Sequence, residues 1–169
     1  PNTGASPDLE RDIKQLSQIL ERHLWSYSHF TYKQKKAGER KLILDQFINS
    51  DIDALLAIRV LDEGMDVRQC RTAFILASSR QKRQYIQRRG RVLRKFKGKT
   101  KSTIHDFLIL TKEVNESLMK KEMERICEFA RYALNLDEVK SDVVQYTAGL
   151  DFSFDTVIKE LEDDDEKRE

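Results

Sequence analysis

Three short apolar runs, separated by segments of helical periodicity, limit what this chain can fold into. Ala54 to Ile58, Thr72 to Ala77 and Thr103 to Leu110 have strand length and little alternation. That is the pattern of parallel strands buried on both faces, not of an antiparallel sheet with one wet face. Ser28 to Tyr32 reads as a further short strand, and Gln81 to Leu93 as a helix between the last two apolar runs. After Ser6-Pro7-Asp8, apolar Leu9, Ile13, Leu16, Ile19, Leu20 and Leu24 recur at helical spacing; Ser6 or Asp8 serves as a cap and Pro7 fits a first turn. Ala37 to Ile48 makes a second amphipathic helix with Leu42, Leu44 and Phe47 toward the core. A longer helix, Val114 to Leu134, carries Val114, Leu118, Met123, Ile126, Ala130 and Leu134 on one stripe that packs against the sheet. Strands alternating with helices predict an α/β fold, with a parallel sheet, right-handed crossovers and helices on both faces. Ligands of such sheets gather where the strands end, so the segments after each strand are the first place to look for chemistry.

The 169 residues suit one domain with an appendage. The expected organisation is a linker or appended remnant over 1–7, the α/β domain over 8–111, a packing helix over 112–136 and an extension over 137–169 with a disordered acidic end. Charge is distributed unevenly behind a formal net of +2. From Arg71 to Ile104 there is no Asp or Glu, Arg80 to Lys101 is crowded with Arg and Lys, and Glu160 to Glu169 is mostly acidic. The basic block implies an anionic partner. Cys70 and Cys127, without pairing or metal-like spacing, imply a reduced intracellular setting, and no apolar run reaches the length of a membrane span.

Two segments after strands carry candidate chemistry. In Arg59 to Val67, Gly64 permits close backbone approach to a phosphate or sugar, and Asp66 could accept from a ribose hydroxyl; an ordinary turn glycine is the alternative. In Gln84 to Arg94, the residues Gln87, Arg91 and Arg94 are spaced four and three apart, so on a helix all three project from one face. Two guanidinium forks and an amide on one stripe suit a polyphosphate, and a solvated basic face is the alternative.

Gln87-Arg88-Arg89-Gly90-Arg91-Val92-Leu93-Arg94 resembles motif VI of superfamily-2 helicases, the arginine-finger motif. Ile58 to Val67, with Glu63-Gly64-Met65-Asp66, resembles motif V, and Glu39-Arg40 followed by Phe47 is similar to a helix that precedes it in that family. The resemblance, over about Leu9 to Leu110, implies the C-terminal RecA-like lobe of a DNA helicase or translocase of repair or restriction type. It implies a three-layer parallel sheet plus a C-terminal helical extension. Nothing before Leu9 in this sequence can supply the sheet's first strand, motif IV, either because the sequence starts inside the domain or because the strand was not retained. It implies that Arg91 and Arg94 reach ATP held with Mg2+ by an N-terminal lobe of the same parent chain, and that Gln87 contacts the γ-phosphate or attacking water. Gly64 would border nucleotide or nucleic acid, Asp66 would hold the ribose or an adjacent arginine, and Glu63 and Gly64 would lie along the DNA path. Ile58 and Arg68 stand where many relatives have threonine and proline, and these departures fall on motif V, not on the finger motif.

Lys95, Lys97, Lys99 and Lys101 extend the positive field and could track a phosphodiester backbone. Gly98-Lys99-Thr100 is not a P-loop, because Gly90 is too distant and the residues between are bulky and basic. Without a P-loop lysine and a magnesium-holding acid, the chain is not expected to hydrolyse ATP alone. DNA is expected over RNA as partner, in a cytoplasmic or nucleoid-associated setting without a membrane. A stand-alone nucleic-acid-binding module and a degenerate regulatory lobe are the rival readings. His105 and Asp106, adjacent in a strand, face opposite sides and read as structural, as do His23 and His29, which have no metal-ligand companions. Trp25, Tyr27 and Tyr32 read as core or rim.

Overall fold

The computed structural model describes residues 7–30, 37–57, 67–76, 82–107, 116–149 and 151–167. In chain order the elements are α1 (Pro7–Arg22), β1 (Tyr27–Phe30), α2 (Ala37–Ile48), β2 (Ala54–Ala57), β3 (Thr72–Ile75), α3 (Lys82–Val92), β4 (Thr103–Asp106), α4 (Glu116–Ala130), α5 (Leu136–Tyr146) and α6 (Phe154–Glu166). The chain forms two compact units, Pro1–Thr72 with Gly90–Thr103, and Ala73–Arg89 with Ile104–Glu169.

In the first unit, β1 and β2 pair in parallel with Tyr27 opposite Ala54 and Phe30 opposite Ala57. The entry to this pair is clasped by two side chains. Ser26 donates from its backbone N–H and its hydroxyl to Asp53 Oδ2 at 2.8 and 2.7 Å, while Asp53 N–H donates back to the Ser26 carbonyl at 2.8 Å. These donors hold the Asp53 carboxyl below its ordinary range, the Ser26 hydroxyl most. A carboxylate with a depressed folded pKa stabilises the fold above its unfolded pKa of about 4, and that contribution is lost as pH falls through the folded value. Asp53→Asn is therefore expected to lower the unfolding midpoint at neutral pH, with the gap to wild type closing below about pH 4. Thermal unfolding of both proteins across that range checks it.

Phe30 and Val67 are buried here, with Ile43, Leu44, Leu55 and Cys70 packed against them. Arg40 lies over the Phe30 ring at 5.8 Å. Leu42, expected in the core, is instead 61% exposed. Leu42, Ile43 and Leu44 fan out by about 100° each on a helix, and α2 turns the later two inward. Leu24 is likewise outside the core: α1 ends at Arg22, and Leu24 has φ 57 and is 92% exposed. Ser17 is buried on α1; its hydroxyl donates to the Ile13 carbonyl, so it accepts from His29 Nε2 at 2.9 Å. Tyr27 donates to Glu21, Trp25 is half exposed, and Tyr32 lies outside the described residues.

The strands are not sealed on both faces as expected. β2 is partly buried, and β3 and β4 alternate exposed with partly buried residues. Among the described residues each strand has one neighbour, β1 with β2 and β3 with β4, and a two-stranded ribbon leaves much of itself wet.

The second unit holds the larger described core. Met123, Ile126, Cys127 and Ala130 of α4 pack with Val143 of α5 and Phe154, Val157 and Leu161 of α6. At about 1.5–3 kcal/mol for each fully buried large apolar side chain, this three-helix cluster dominates the described apolar burial. Phe154–Glu166 is therefore helical, where the expectation placed a disordered acidic end. Phe154, Val157 and Leu161 fall on one stripe, Ser153 Oγ caps by accepting from Thr156 N–H at 3.3 Å, and Arg131 ties Asp165 at 2.7 Å. The long helix is shorter than expected: α4 stops at Ala130, and Leu134 is 97% exposed. Its apolar stripe meets α5 and α6, so it is a bundle helix and not only a cover for the sheet. Val114 lies outside the described residues.

On β4, His105 stacks on Phe74 at 4.5 Å, while Asp106 pairs with Arg125 of α4, which also binds Glu122 and the Phe107 carbonyl. The Arg125 side chain is 3% exposed. Burial pushes the Cys127 thiol up to about 12 and raises that of Cys70 as well.

Candidate nucleotide-facing helix and nucleic-acid interface

The helix α3 is fixed along one side by α4. Lys82, Tyr85 and Arg89, at spacings of three and four, share a stripe. Tyr85 is buried and meets the Phe129 ring edge-on at 5.7 Å. Arg89 donates from Nη2 to Glu128 Oε1 at 3.3 Å and from Nη1 to the Glu128 carbonyl, with the Phe129 and Tyr132 rings each 5.4 Å from its guanidinium. The Lys82 ammonium approaches Glu128 Oε2 at 4.0 Å. At about 100° per residue, Gln87 and Arg91 lie on the opposite side of α3 from this stripe. Gln87 is exposed and Arg91 partly buried.

Arg94 is not on the same helix. α3 ends at Val92, and Arg94 follows a turn, joined by its N–H to the Arg91 carbonyl at 3.4 Å. The single helical face drawn through all three residues therefore holds for Gln87 and Arg91, while the direction of Arg94 is set by the segment that leaves the helix. Gly90 is exposed, and a Cβ there would meet nothing within 4 Å. Among the described residues, packing does not demand that glycine.

The departing segment makes a second departure from expectation. Phe96 and Lys99 form a bridge closed by Lys99 N–H to the Phe96 carbonyl at 3.0 Å, with Gly98 at φ 74. Only glycine adopts that φ without cost, and it reverses the chain. The reversal brings Lys99 Nζ back onto three backbone carbonyls, those of Val92, of Arg68 at 3.0 Å and of Arg94 at 3.3 Å. An ammonium has three hydrogens, and all three are used. Ser102 Oγ donates to the same Val92 carbonyl at 3.2 Å. Lys99 thus sits at the C-terminal end of α3, its ammonium turned onto backbone carbonyls; burial, first, lowers its pKa. Lys95, Lys97 and Lys101 are exposed. Glu63, Gly64 and Asp66 lie outside the described residues.

Residues 8–96 match the helicase conserved C-terminal domain, which is more than half of the chain. The chain belongs to this family. A helicase C-terminal domain is also what the paired motifs V and VI imply, and α4 to α6 lie beyond the matched segment. The chain is 42% identical over 65 residues to the DNA 3'-5' translocase XPB2 of Sulfurisphaera tokodaii, over 38% of this chain and 15% of that protein. It therefore spans under a sixth of the length of that relative. The C-terminal part of the Fun30 ATPase domain superposes with a TM-score of 0.49 and 13% identity, over 72% of this chain and 46% of that one. Among the described residues, no helix of this helicase domain is long and apolar enough to cross a membrane.

Proposed function

We propose that this chain is the second, RecA-like motor lobe of an ATP-dependent DNA helicase or translocase. Gln87 and Arg91 face the phosphates of ATP, a substrate held with Mg2+ by a first lobe, and Arg94 reaches the same nucleotide from the turn after α3. The observation that supports this reading most is the phase of α3: the residues that anchor it occupy one side, and Gln87 and Arg91 the other. An arginine placed so stabilises charge on the transferring phosphoryl group. Asp66 and Gly64 take the ribose and backbone roles that motif V implies, and Glu63 lies along the strand path. The relative's DNA translocase activity favours DNA over RNA. ATP turnover by the full-length parent must depend on Arg91; turnover that survives its loss overturns the assignment.

Lys95 and Lys97 supply sequence-independent phosphate contacts, whereas Lys99 does not. In the full-length protein, Lys95→Ala and Lys97→Ala are each expected to reduce the slope of log affinity for DNA against log salt by about 1. Lys99→Ala is expected to leave that slope unchanged and instead to cost about 1–2 kcal/mol of stability, through the uncapped end of α3. Salt titrations of DNA binding beside thermal unfolding separate the two effects.

A further inference from the structure

The sequence motif begins on α3, yet the contacts that set the rotation of α3 come from a helix outside the family match. Glu128 sits on α4 with its side chain 2% exposed, and it engages α3 at two points two turns apart, Lys82 at 4.0 Å and Arg89 at 3.3 Å. Arg131 Nη2 braces the carboxylate from the C-terminal side at 2.6 Å and is itself tied to Asp165 of α6. Phe129 and Tyr132 flank the Arg89 guanidinium, so the fork is held in plane as well as in register. A helix gripped at one residue can roll about its axis; one gripped along a stripe cannot. The side chains opposite that stripe are Gln87 and Arg91.

From this geometry we infer that Glu128 is a positioning residue for the phosphate-facing side of α3, acting through Arg89. The inference rests on the motor-lobe reading above. It makes the α4–α6 bundle part of the ATPase machinery although the bundle touches no nucleotide. Small misplacements of an aligned group cost rate steeply, about 10²-fold for roughly 1 Å.

The test uses the full-length protein. Glu128→Gln keeps the shape and removes the charge that pulls Arg89 and Lys82 together. It is expected to lower kcat for DNA-stimulated ATP hydrolysis at least about tenfold, with DNA affinity at fixed salt unchanged. Amide exchange in Lys82–Val92 is expected to quicken while that of β1 and β2 does not. Arg89→Met should match it, the Glu128→Gln/Arg89→Met pair should be no worse than either alone, and Glu128→Asp should restore part of kcat. If Glu128→Gln fails to fold, Arg89→Lys, which retains charge but lacks the fork, carries the same expectation.

Variants whose folded fraction turns over ATP at the wild-type rate overturn the inference, even if their midpoints fall. Additive losses in the pair overturn it too. Arg91→Ala, run alongside, tells this failure apart from that of the underlying reading: if turnover survives without Arg91, the motor-lobe assignment itself is lost.

Discussion

Replacing Arg91 with alanine in the full-length protein is expected to cut ATP turnover by about 10³–10⁵. That corresponds to roughly 4–7 kcal/mol of transition-state stabilisation. DNA affinity at fixed salt should move by no more than a few-fold, because Arg91 is one cation among several and its field at the strand is screened beyond about 10 Å. The size of the loss follows from placement. Arg91 is the finger candidate that still lies on α3, on the side of the helix opposite Lys82, Tyr85 and Arg89. Arg91→Lys should recover little, since an ammonium offers no planar fork to phosphoryl oxygens. Arg94→Ala should cost less, and its cost should depend on Lys99, because the turn and not the helix aims it. Steady-state hydrolysis with and without DNA, paired with DNA binding at one salt concentration, reads all of this.

Removing Arg125 is expected to have the largest effect on stability, about 3–5 kcal/mol, against a typical total of about 5–15 kcal/mol. Its side chain is 3% exposed, and Asp106, 9% exposed, depends on it. Arg125→Ala leaves that carboxylate buried beside Glu122 with no cation. Burial already pushes the Asp106 carboxyl above its ordinary range against the pull of Arg125. A raised carboxyl pKa favours the fold at acid pH, and that benefit is lost as pH rises through the folded value. The variant's deficit should therefore be greatest at neutral pH and shrink toward about pH 4. Replacing Arg125, Asp106 and Glu122 together with apolar residues of similar volume should recover most of the loss, because no buried charge is then left alone. Denaturant unfolding of the single and triple variants at two pH values checks both statements.

The contrast between what was readable in the sequence and what was not has a physical basis. Strand starts came within one residue because continuous apolar runs are local signals: Ala54 to Ile58 is Ala54–Ala57, Thr72 to Ala77 is Thr72–Ile75, and Thr103 to Leu110 already ends at Asp106, while Ile58, Ala77 and residues 108–110 lie outside the described residues. α3, expected over 81–93, runs Lys82–Val92. The error lay in carrying its periodicity two residues past its end to Arg94. The fate of Lys99 depended on a reversal at Gly98, and a lysine at the end of a reversal looks, in sequence, like any member of a basic block. Glu128 had no sequence signal toward Arg89, since the pairing is made by the fold and not by spacing. Acidic composition hid α6, although Phe154, Val157 and Leu161 already carried the i, i+3, i+7 pattern.

The return loop after α3 works as a ruler. Lys95 to Gly98 is the length of chain that lets one ammonium reach the Val92, Arg68 and Arg94 carbonyls at once. An inserted residue would carry the charge past them, and a deleted one would stop it short. The number of residues there is thus constrained as tightly as the identities on the helix, while the exposed side chains of Lys95 and Lys97 take no part in that measure.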